Sequence, residues 1–556
     1  MNKMKYKHKK RKNSQNPQAV GKLYLIILPL YAIALSVLLF SACQKPLNTQ
    51  CDIIPAPQKN IFGRGHFEIN SKTRIVCAEP VIKIEAEKLQ KYILDAIGKN
   101  VPIVEAGTRN VIVLETDANI NESEAYQLSV ERKKVICRAS TPAGIFYSGQ
   151  SLIQLSDPDG KIPCMNITDQ PRYEWRGFML DESRHFSGKQ TVKQILDVMA
   201  YLKMNRFHWH LTDEPGWRIE IKKYPKLTET GAIGDVRDPN APSVFYTQEE
   251  IREIIDYASE RHIMVIPEID MPGHASAANR AYPEFSSGGS GPFKDFLFNP
   301  AAEGIFDFID GIITEIALLF PAPYIHIGGD EVHFGIETWQ KNTEIQQFIN
   351  DHDLKDEAGL EHYFVRRVCE IVNSKGRFAI GWDDIVDSGV TPDIAIPMWW
   401  RKHKPEMLVS ALEKKFKVIM TPNIPCYVDY KQEKFHHLGP GYDTTTVNSW
   451  QDIYRFPKDI SSLIINHSSQ IMGIQACLWT GYINEKKHLF FNLFPRLASL
   501  AESAWTNPES KEIYHFEMKL KNFLQYLDRK GINYFNPFDP KSTPEVWEQV
   551  IPWVYD

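Results

Sequence analysis

Two adjacent carboxylates, Asp330 and Glu331, end the segment HIGGDE at 326–331. The two glycines before them allow a tight backbone turn and a close approach to other groups. A solvated acidic turn is the plain alternative. However, a histidine lies within the same predicted strand, and ionisable clusters end the neighbouring predicted strands. We therefore interpret the pair as catalytic and suited to general acid/base chemistry.

Other clusters of ionisable and aromatic side chains also follow short apolar segments directly. They are RGFMLD at 176–181 with Arg184, HWHLTD at 208–213, WR at 217–218, PEIDMPGH at 267–274, GWD at 381–383, Tyr427 with Asp429, and QACLW at 475–479. In parallel barrels such groups meet at the C-terminal strand ends, so we expect one common site. The CxxC and HExxH spacings of metal ligands do not occur, so we predict no metal and no cofactor.

The elements that carry these clusters repeat the order strand, loop, helix after Pro171, which is typical of a parallel sheet with crossover helices. The predicted strands are 174–180, 206–210, 264–268, 324–328, 378–382, 394–399, 418–420 and 473–477. The predicted helices between them include 191–202, 248–261, 301–320 and 358–374. Eight such strands predict an α/β fold, a (β/α)8 TIM barrel catalytic domain over 171–506.

The block before the barrel, residues 51–170, lacks this alternation and predicts a small α+β accessory domain. Its predicted strands are 73–77, 111–115, 126–130 and 134–139, and its predicted helices are 81–97 and 142–155. The aromatic C-terminal extension, 507–556, is expected to pack against the barrel.

The composition is that of a globular protein. Of 556 residues, 43% are hydrophobic and 24% charged, which excludes collagen-like, coiled-coil and wholly disordered classes. Aromatic residues make up 12%, and their flat rings suit sugar faces as well as cores. Residues 1–43 carry eight Lys/Arg and no acid; the rest has 56 basic against 69 acidic residues, a net charge of −13. We therefore expect no nucleic acid partner.

The N-terminal segment predicts export. An 18-residue apolar run, Leu23 to Phe40, follows the basic arm, as in a secretory signal; a permanent signal anchor is the alternative. The residues FSAC at 40–43 resemble the lipobox of bacterial lipoproteins, in which the cysteine is acylated. We predict a lipoprotein signal peptide over 1–43, lipidation at Cys43, and a linker over 44–50. The protein would be lipid-anchored to a bacterial membrane, in the periplasm or at the cell surface.

The chain has eight cysteines, and lipidation of Cys43 would leave seven. An odd number cannot form a complete disulfide framework, so most are expected to be buried thiols.

Taken together, the clusters from 54 to 505 resemble, in type and order, the family 20 glycoside hydrolases, the β-N-acetylhexosaminidases. This resemblance implies an exo-acting hydrolase of carbohydrate metabolism that removes terminal β-linked GlcNAc or GalNAc from a glycan with retention of configuration. A non-catalytic glycan-binding lipoprotein is the alternative. Oligomeric state and the natural glycan are not predicted.

The resemblance also implies substrate-assisted catalysis, in which the 2-acetamido oxygen replaces a carboxylate nucleophile and an oxazolinium intermediate forms. It makes Glu331 the general acid/base. It makes Asp330 the acceptor for the acetamido N–H, and Tyr427 the donor to the acetamido oxygen. The positions of Asp330 and Glu331 in the chain agree with these separate roles. Consecutive side chains of an extended segment point in opposite directions, so they can contact different atoms of one sugar.

Asp213 and His274 are expected to form a relay with Glu331 that keeps its carboxyl protonated before cleavage; core or capping roles are the alternative. Arg184 is read as a bidentate donor to two sugar hydroxyls, against an ion pair with Asp181.

Substrate binding is further assigned to an aromatic wall of Trp382, Trp400 and Trp479, with Asp429 beside it. Trp399 competes with Trp400, which matches the family position better. The chain departs from the family pattern at Gly481 and Asp384, where glutamates are usual. These departures leave open the preference at the 4- and 6-positions of the sugar.

Overall fold

The computed structural model describes residues 51–233, 241–289, 293–437 and 445–545. The predicted signal peptide, linker and acylated Cys43 lie outside these ranges. Within them, no helix combines the length and apolar character needed to cross a membrane. The seven cysteines in the described ranges are buried, unpaired thiols.

The first part of the described chain forms a seven-stranded mixed sheet. Its strands are β1 (Lys59–Glu68), β2 (Arg74–Val76), β3 (Ile103–Val104), β4 (Val111–Thr116), β5 (Tyr126–Glu131), β6 (Lys134–Ala139) and β7 (Lys161–Asp169). They are ordered β1-β7-β5-β6-β4-β2-β3, antiparallel from β1 to β6 and parallel from β6 to β3. The helices Lys83–Ile97 and Pro142–Leu155 pack together, and the second covers β5 and β6.

This sheet with its two helices confirms the predicted α+β domain but contains three strands that the sequence analysis missed. β1 is an edge strand with mostly exposed side chains, so it lacks the alternation of apolar residues that marks a half-buried strand. β7 contains Pro163, which weakens a strand prediction, and β3 has only two residues.

Eight parallel strands close into a barrel, which confirms the predicted TIM barrel. They are β8 (Trp175–Asp181), β9 (Arg206–His210), β10 (Met264–Glu268), β11 (Tyr324–His326), β12 (Phe378–Trp382), β13 (Ala395–Trp399), β14 (Val418–Met420) and β15 (Ile471–Leu478). β15 pairs with β8 over six residues from Gly473 to Leu478 and closes the ring.

Most of the longer helices around this barrel bury one face, and Arg496–Trp505 is buried at every residue. The longer ones are Lys189–Tyr201, Gln248–Ser259, Ile305–Leu319, Glu357–Ser374 and Arg496–Trp505. The shorter ones are Lys226–Glu229, Ser276–Ala281, Ile336–Lys341, Thr343–Asp351, Pro405–Glu413, Asn423–Cys426, Trp450–Arg455, Ser461–Ile464 and Lys486–Leu493. At Gln248–Ser259, Thr247 and Glu250 form a reciprocal capping box, which satisfies N–H groups at the helix start.

The C-terminal extension contributes one long helix, Ile513–Lys530. Its Tyr526 ring stacks on Tyr201 with centroids 3.9 Å apart, and Phe523 packs on Phe494. The helix thus packs against the C-terminal ends of the helices Lys189–Tyr201 and Lys486–Leu493.

Candidate active site

A sharp turn after β11 carries the two candidate catalytic carboxylates. Gly328 and Gly329 have φ angles of +69° and +93°, which residues with side chains rarely adopt. A Cβ atom at Gly328 would lie 1.6 Å from Oδ1 of Asp270, so no larger residue fits there. Glu331 itself has a φ of 55°, a strained value of the kind found at functional sites. The turn brings Asp330 and Glu331 beside the loops that follow β9 and β10.

His274 connects these carboxylates to a third acid. Its Nε2 atom lies 3.5 Å from Oε2 of Glu331 and 3.8 Å from Oδ2 of Asp330. Its Nδ1 atom lies 3.0 Å from Oδ1 of Asp213 and 3.2 Å from Oε1 of Glu214. The structure therefore brings together four of the predicted catalytic residues. Glu214 was missed, and its position next to Asp213 in the chain was the only signal for it.

The charges around His274 shift the pKa values of the relay groups. Burial by itself lowers the pKa of His274, but the carboxylates of Asp213 and Glu214 outweigh it and hold that pKa well above its usual range. Burial raises the pKa of Glu331, but the hydrogen bond and charge of His274 outweigh it and lower that pKa. Both directions favour a charged contact between His274 and Glu331, through which a proton can pass. The expected protonation of Glu331 before cleavage stays a prediction.

Asp330 differs from its neighbour in its surroundings. It is 8% exposed, and burial, with the charge of Asp270, raises its pKa well above the usual range. Its Oδ1 atom is buried without a hydrogen-bond partner among the described residues. An unsatisfied buried polar atom costs about 1–3 kcal/mol, so this oxygen is arranged for a donor from a ligand.

Arg184 makes the ion pair with Asp181 that was the alternative for it, and it also contacts two further carboxylates. Its Nη1 atom lies 2.5 Å from Oδ2 of Asp213 and 3.5 Å from Oδ2 of Asp181, and its Nη2 atom 3.6 Å from Oε2 of Glu214. The guanidinium carbon lies 5.1 Å from the ring centroid of Trp479. Arg184 thus holds Asp213 ionised beside His274, and its contact with sugar hydroxyls stays a prediction.

Aromatic rings line one side of this barrel end. The centroids of Trp382 and Tyr427 lie 5.8 Å and 5.9 Å from that of Trp479. Trp400 stacks on Tyr427 with an interplanar angle of 8°. Trp382 is 1% exposed and donates from Nε1 to Oε1 of Glu268, so it forms the floor of the site. The other rings can enclose a small apolar group of a ligand.

Trp400, and not Trp399, belongs to this group. Trp399 is 1% exposed and packs in the main hydrophobic core. Trp400 donates from Nε1 to Oδ2 of Asp384 at 3.2 Å, and Arg401 pairs with Oδ1 of the same carboxylate at 2.8 Å. Asp384 therefore orients Trp400, a function that the sequence did not reveal.

Asp429 and Gly481 lie on loops that follow β14 and β15. Asp429 is 8% exposed, and burial raises its pKa to about 7. Its Oδ1 atom is buried without a hydrogen-bond partner in the described part of the chain. A Cβ atom at Gly481 would meet no atom within 4 Å, so this position borders open space.

Beneath the site, in the barrel interior, the carboxylate of Glu268 lies within hydrogen-bonding distance of three histidine rings. It accepts from His210 Nδ1 at 2.5 Å and lies 2.9 Å from ring nitrogens of His208 and His326. The Nε2 atom of His210 in turn lies 2.8 Å from Oδ2 of Asp213. These hydrogen bonds anchor the inner end of the relay.

Several buried groups in the described ranges bring three side chains close enough to hold a metal ion, such as His210 with Asp213 and Asp270. Their ligand atoms already contact one another, as His210 and His274 do at Asp213. Hydrogen bonding accounts for the grouping, and the absence of a metal requirement stays a prediction.

Comparisons with known proteins cover both parts of the described chain. Residues 173–508 match the family profile described as "Glycosyl hydrolase family 20, catalytic domain", and residues 50–170 match "Glycosyl hydrolase family 20, domain 2".

Two curated relatives carry the name beta-hexosaminidase. The protein of Porphyromonas gingivalis is 34% identical, over 87% of this chain and 64% of its own length. The protein of Vibrio furnissii is 36% identical, over 70% of this chain and 67% of its own length. The chain therefore spans less than two thirds of the length of the first relative. The solved exo-β-N-acetylglucosaminidase of Vibrio harveyi, in complex with N-acetylglucosamine, has a TM-score of 0.81 at 30% identity, covering 88% of this chain and 79% of its own.

Proposed function

Because the chain belongs to glycosyl hydrolase family 20, we propose that it is an exo-acting β-N-acetylhexosaminidase that removes terminal β-linked GlcNAc or GalNAc from glycans. The observation that carries this proposal is the relay of Asp213, His274 and Glu331, with the buried carboxyl of Asp330 beside it. A glycan-binding protein without activity would need no such acid/base relay. Hydrolysis of paired aryl glycosides, with and without the 2-acetamido group, tests the proposal.

In the proposed mechanism the substrate supplies its own nucleophile. The acetamido oxygen attacks C1 while Glu331 protonates the departing oxygen, and water later opens the oxazolinium intermediate with Glu331 as base. Asp330 accepts the acetamido N–H at its otherwise unpartnered Oδ1 and stabilises the positive charge that develops. Tyr427 donates to the acetamido oxygen, and Trp400 and Trp479 flank the acetamido methyl.

The open position at Gly481 predicts weak discrimination at the outer hydroxyls of the sugar. The wild type should use GlcNAc, GalNAc and 6-sulfated GlcNAc aryl glycosides with kcat/KM values within about 10²-fold. Gly481→Glu should increase the differences in kcat/KM among these substrates by about tenfold or more. The added carboxylate would accept hydrogen bonds from one arrangement of hydroxyls and would repel the sulfate.

Gly481→Ala is the matched control, since it adds a Cβ atom in the same open space without a carboxylate. The prediction fails if the wild type rejects both GalNAc and the sulfated sugar by more than about 10²-fold. That result would indicate that another carboxylate, such as Asp429 or Glu485, makes the contact.

We also propose that the protein is exported and lipid-anchored to a bacterial membrane. The basic arm, the apolar run and the FSAC sequence at 40–43 support this location. A single acyl chain binds membranes only marginally, so stable anchoring would require more than one chain at Cys43.

Cys43→Ala should abolish acylation and release or misprocess the protein. Growth with a radioactive fatty acid should label the wild type and not the variant. Cys51→Ala is a suitable control, because this nearby cysteine is a buried thiol. An unlabelled wild type that stays in the membrane would support the signal-anchor alternative instead.

A further inference from the structure

The residues directly after Glu331 include an exposed aromatic ring, that of Phe334. One short helical turn, Val332–Phe334, begins at Glu331. The backbone N–H of Phe334 donates to the carbonyl oxygen of Glu331 at 3.0 Å, so the two residues are held in a defined relation. Phe334 is 42% exposed, although a large apolar ring is usually buried.

This ring ends a row of aromatic contacts that starts at the relay. Phe334 stacks on Phe293 with centroids 5.1 Å apart and an interplanar angle of 5°. Phe293 meets the edge of Phe296 at 5.6 Å, and Phe296 meets His274 at 4.9 Å. The row supports Phe334 from the inside, so its exposed ring is fixed by packing.

The neighbouring His333 is exposed and lies beside Phe334. Its ring lies 4.3 Å from that of Phe334. The pKa of Glu331 responds first to burial, which raises it, then to His274 and Arg184, and also to His333, which lowers it. Both rings are exposed and belong to the short turn that follows Glu331 directly in the chain.

We propose that Phe334, with His333 beside it, forms the subsite for the sugar ring of the leaving group. The general acid must reach the oxygen that joins the two sugars, so residues bordering it on the outer side adjoin the leaving group. An exposed aromatic face can cover the apolar face of a pyranose. This inference rests on the proposed function, because it assigns the second sugar of the same substrate.

The test compares two substrates that share the GlcNAc unit but differ in the leaving group. These are the β-linked disaccharide of GlcNAc and the methyl β-glycoside of GlcNAc, which lacks a second ring. Phe334→Ala should lower kcat/KM on the disaccharide about five- to tenfold and change the methyl glycoside less than about twofold. Phe334→Tyr should retain most of the wild-type ratio, since it keeps the ring.

Phe378→Ala is the matched control. Phe378 is 41% exposed and begins β12, at the barrel end opposite the site, so its loss should leave the substrate ratio unchanged. If an active, folded Phe334→Ala variant keeps the wild-type ratio of kcat/KM values for the two substrates, with or without an equal loss on both, the subsite inference is wrong. The proposed function would still stand. A wild type that cleaves neither substrate contradicts the proposed function, and the inference with it.

Discussion

The wild-type protein is expected to hydrolyse an aryl β-N-acetylglucosaminide at least about 10³-fold more efficiently, in kcat/KM, than the matching β-glucoside. Removal of the acetamido group removes a nucleophile that is held next to C1, and such intramolecular groups reach very high effective concentrations. It also leaves Oδ1 of Asp330 without the donor for which it is placed. The two substrates share the same leaving group, so the ratio isolates the acetamido group.

Asp330→Asn provides the complementary variant. It should lower kcat/KM on the N-acetylglucosaminide by about 10²- to 10³-fold, because an amide, unlike a carboxyl group, cannot lose a proton to become the anion that stabilises the developing positive charge. Asp351→Asn, at the end of a surface helix, is an exposed control and should leave activity unchanged. Comparable kcat/KM values of the wild type on glucoside and N-acetylglucosaminide would contradict substrate-assisted catalysis.

Glu331→Gln should lower kcat/KM by about 10²- to 10⁴-fold on substrates with a poor leaving group, such as a GlcNAc disaccharide. The amide cannot protonate the departing oxygen. On an aryl substrate with a strongly acidic leaving group, the loss should be much smaller, because that group departs without a proton. The difference between the two losses measures general acid catalysis.

The pH dependence should change in the same variant. The raised pKa of His274 means that the relay keeps its proton through neutral pH and loses it at alkaline pH. The wild-type kcat/KM on a poor leaving group should therefore fall on the alkaline side, and Glu331→Gln should lose this limb. Glu337→Gln is the control, because this side chain is 75% exposed and pairs only with Lys341 among the described residues. Near-wild-type activity of Glu331→Gln on the disaccharide would exclude Glu331 as the acid.

The barrel was predictable because its strands are buried on both faces and short. The predicted bounds of β9, β10, β12 and β14 coincide with the observed ones. Of these strands, β10, β12 and β14 are mostly apolar, and β9 alternates ionisable with aromatic residues, so each gives a local signal. In the accessory domain, the edge strand β1 exposes most of its side chains and gives no comparable signal. Its pairing with β7 depends on residues about 100 positions away in the chain.

The sequence identified the residues of the site but not which of them contact one another. Asp330, Glu331, His274 and Asp213 were named from their motifs, and the structure brings them together. The contact of Arg184 with Asp213 was missed, because the two residues follow different strands and only barrel closure sets their separation. The role of Asp384 was missed for the same reason, because only the folded chain brings its carboxylate to Nε1 of Trp400.

The sequence by itself determined which chemical groups exist and that each follows a strand of a parallel barrel, since residue type and hydrophobic pattern are local properties. Only the tertiary structure decided which charges surround the relay. Asp213 and Glu214 meet His274 from a different loop, and their charges outweigh burial and hold the pKa of His274 well above its usual range, while His274 lowers the pKa of Glu331. Coulomb energies depend on distances between loops, and folding alone sets those distances.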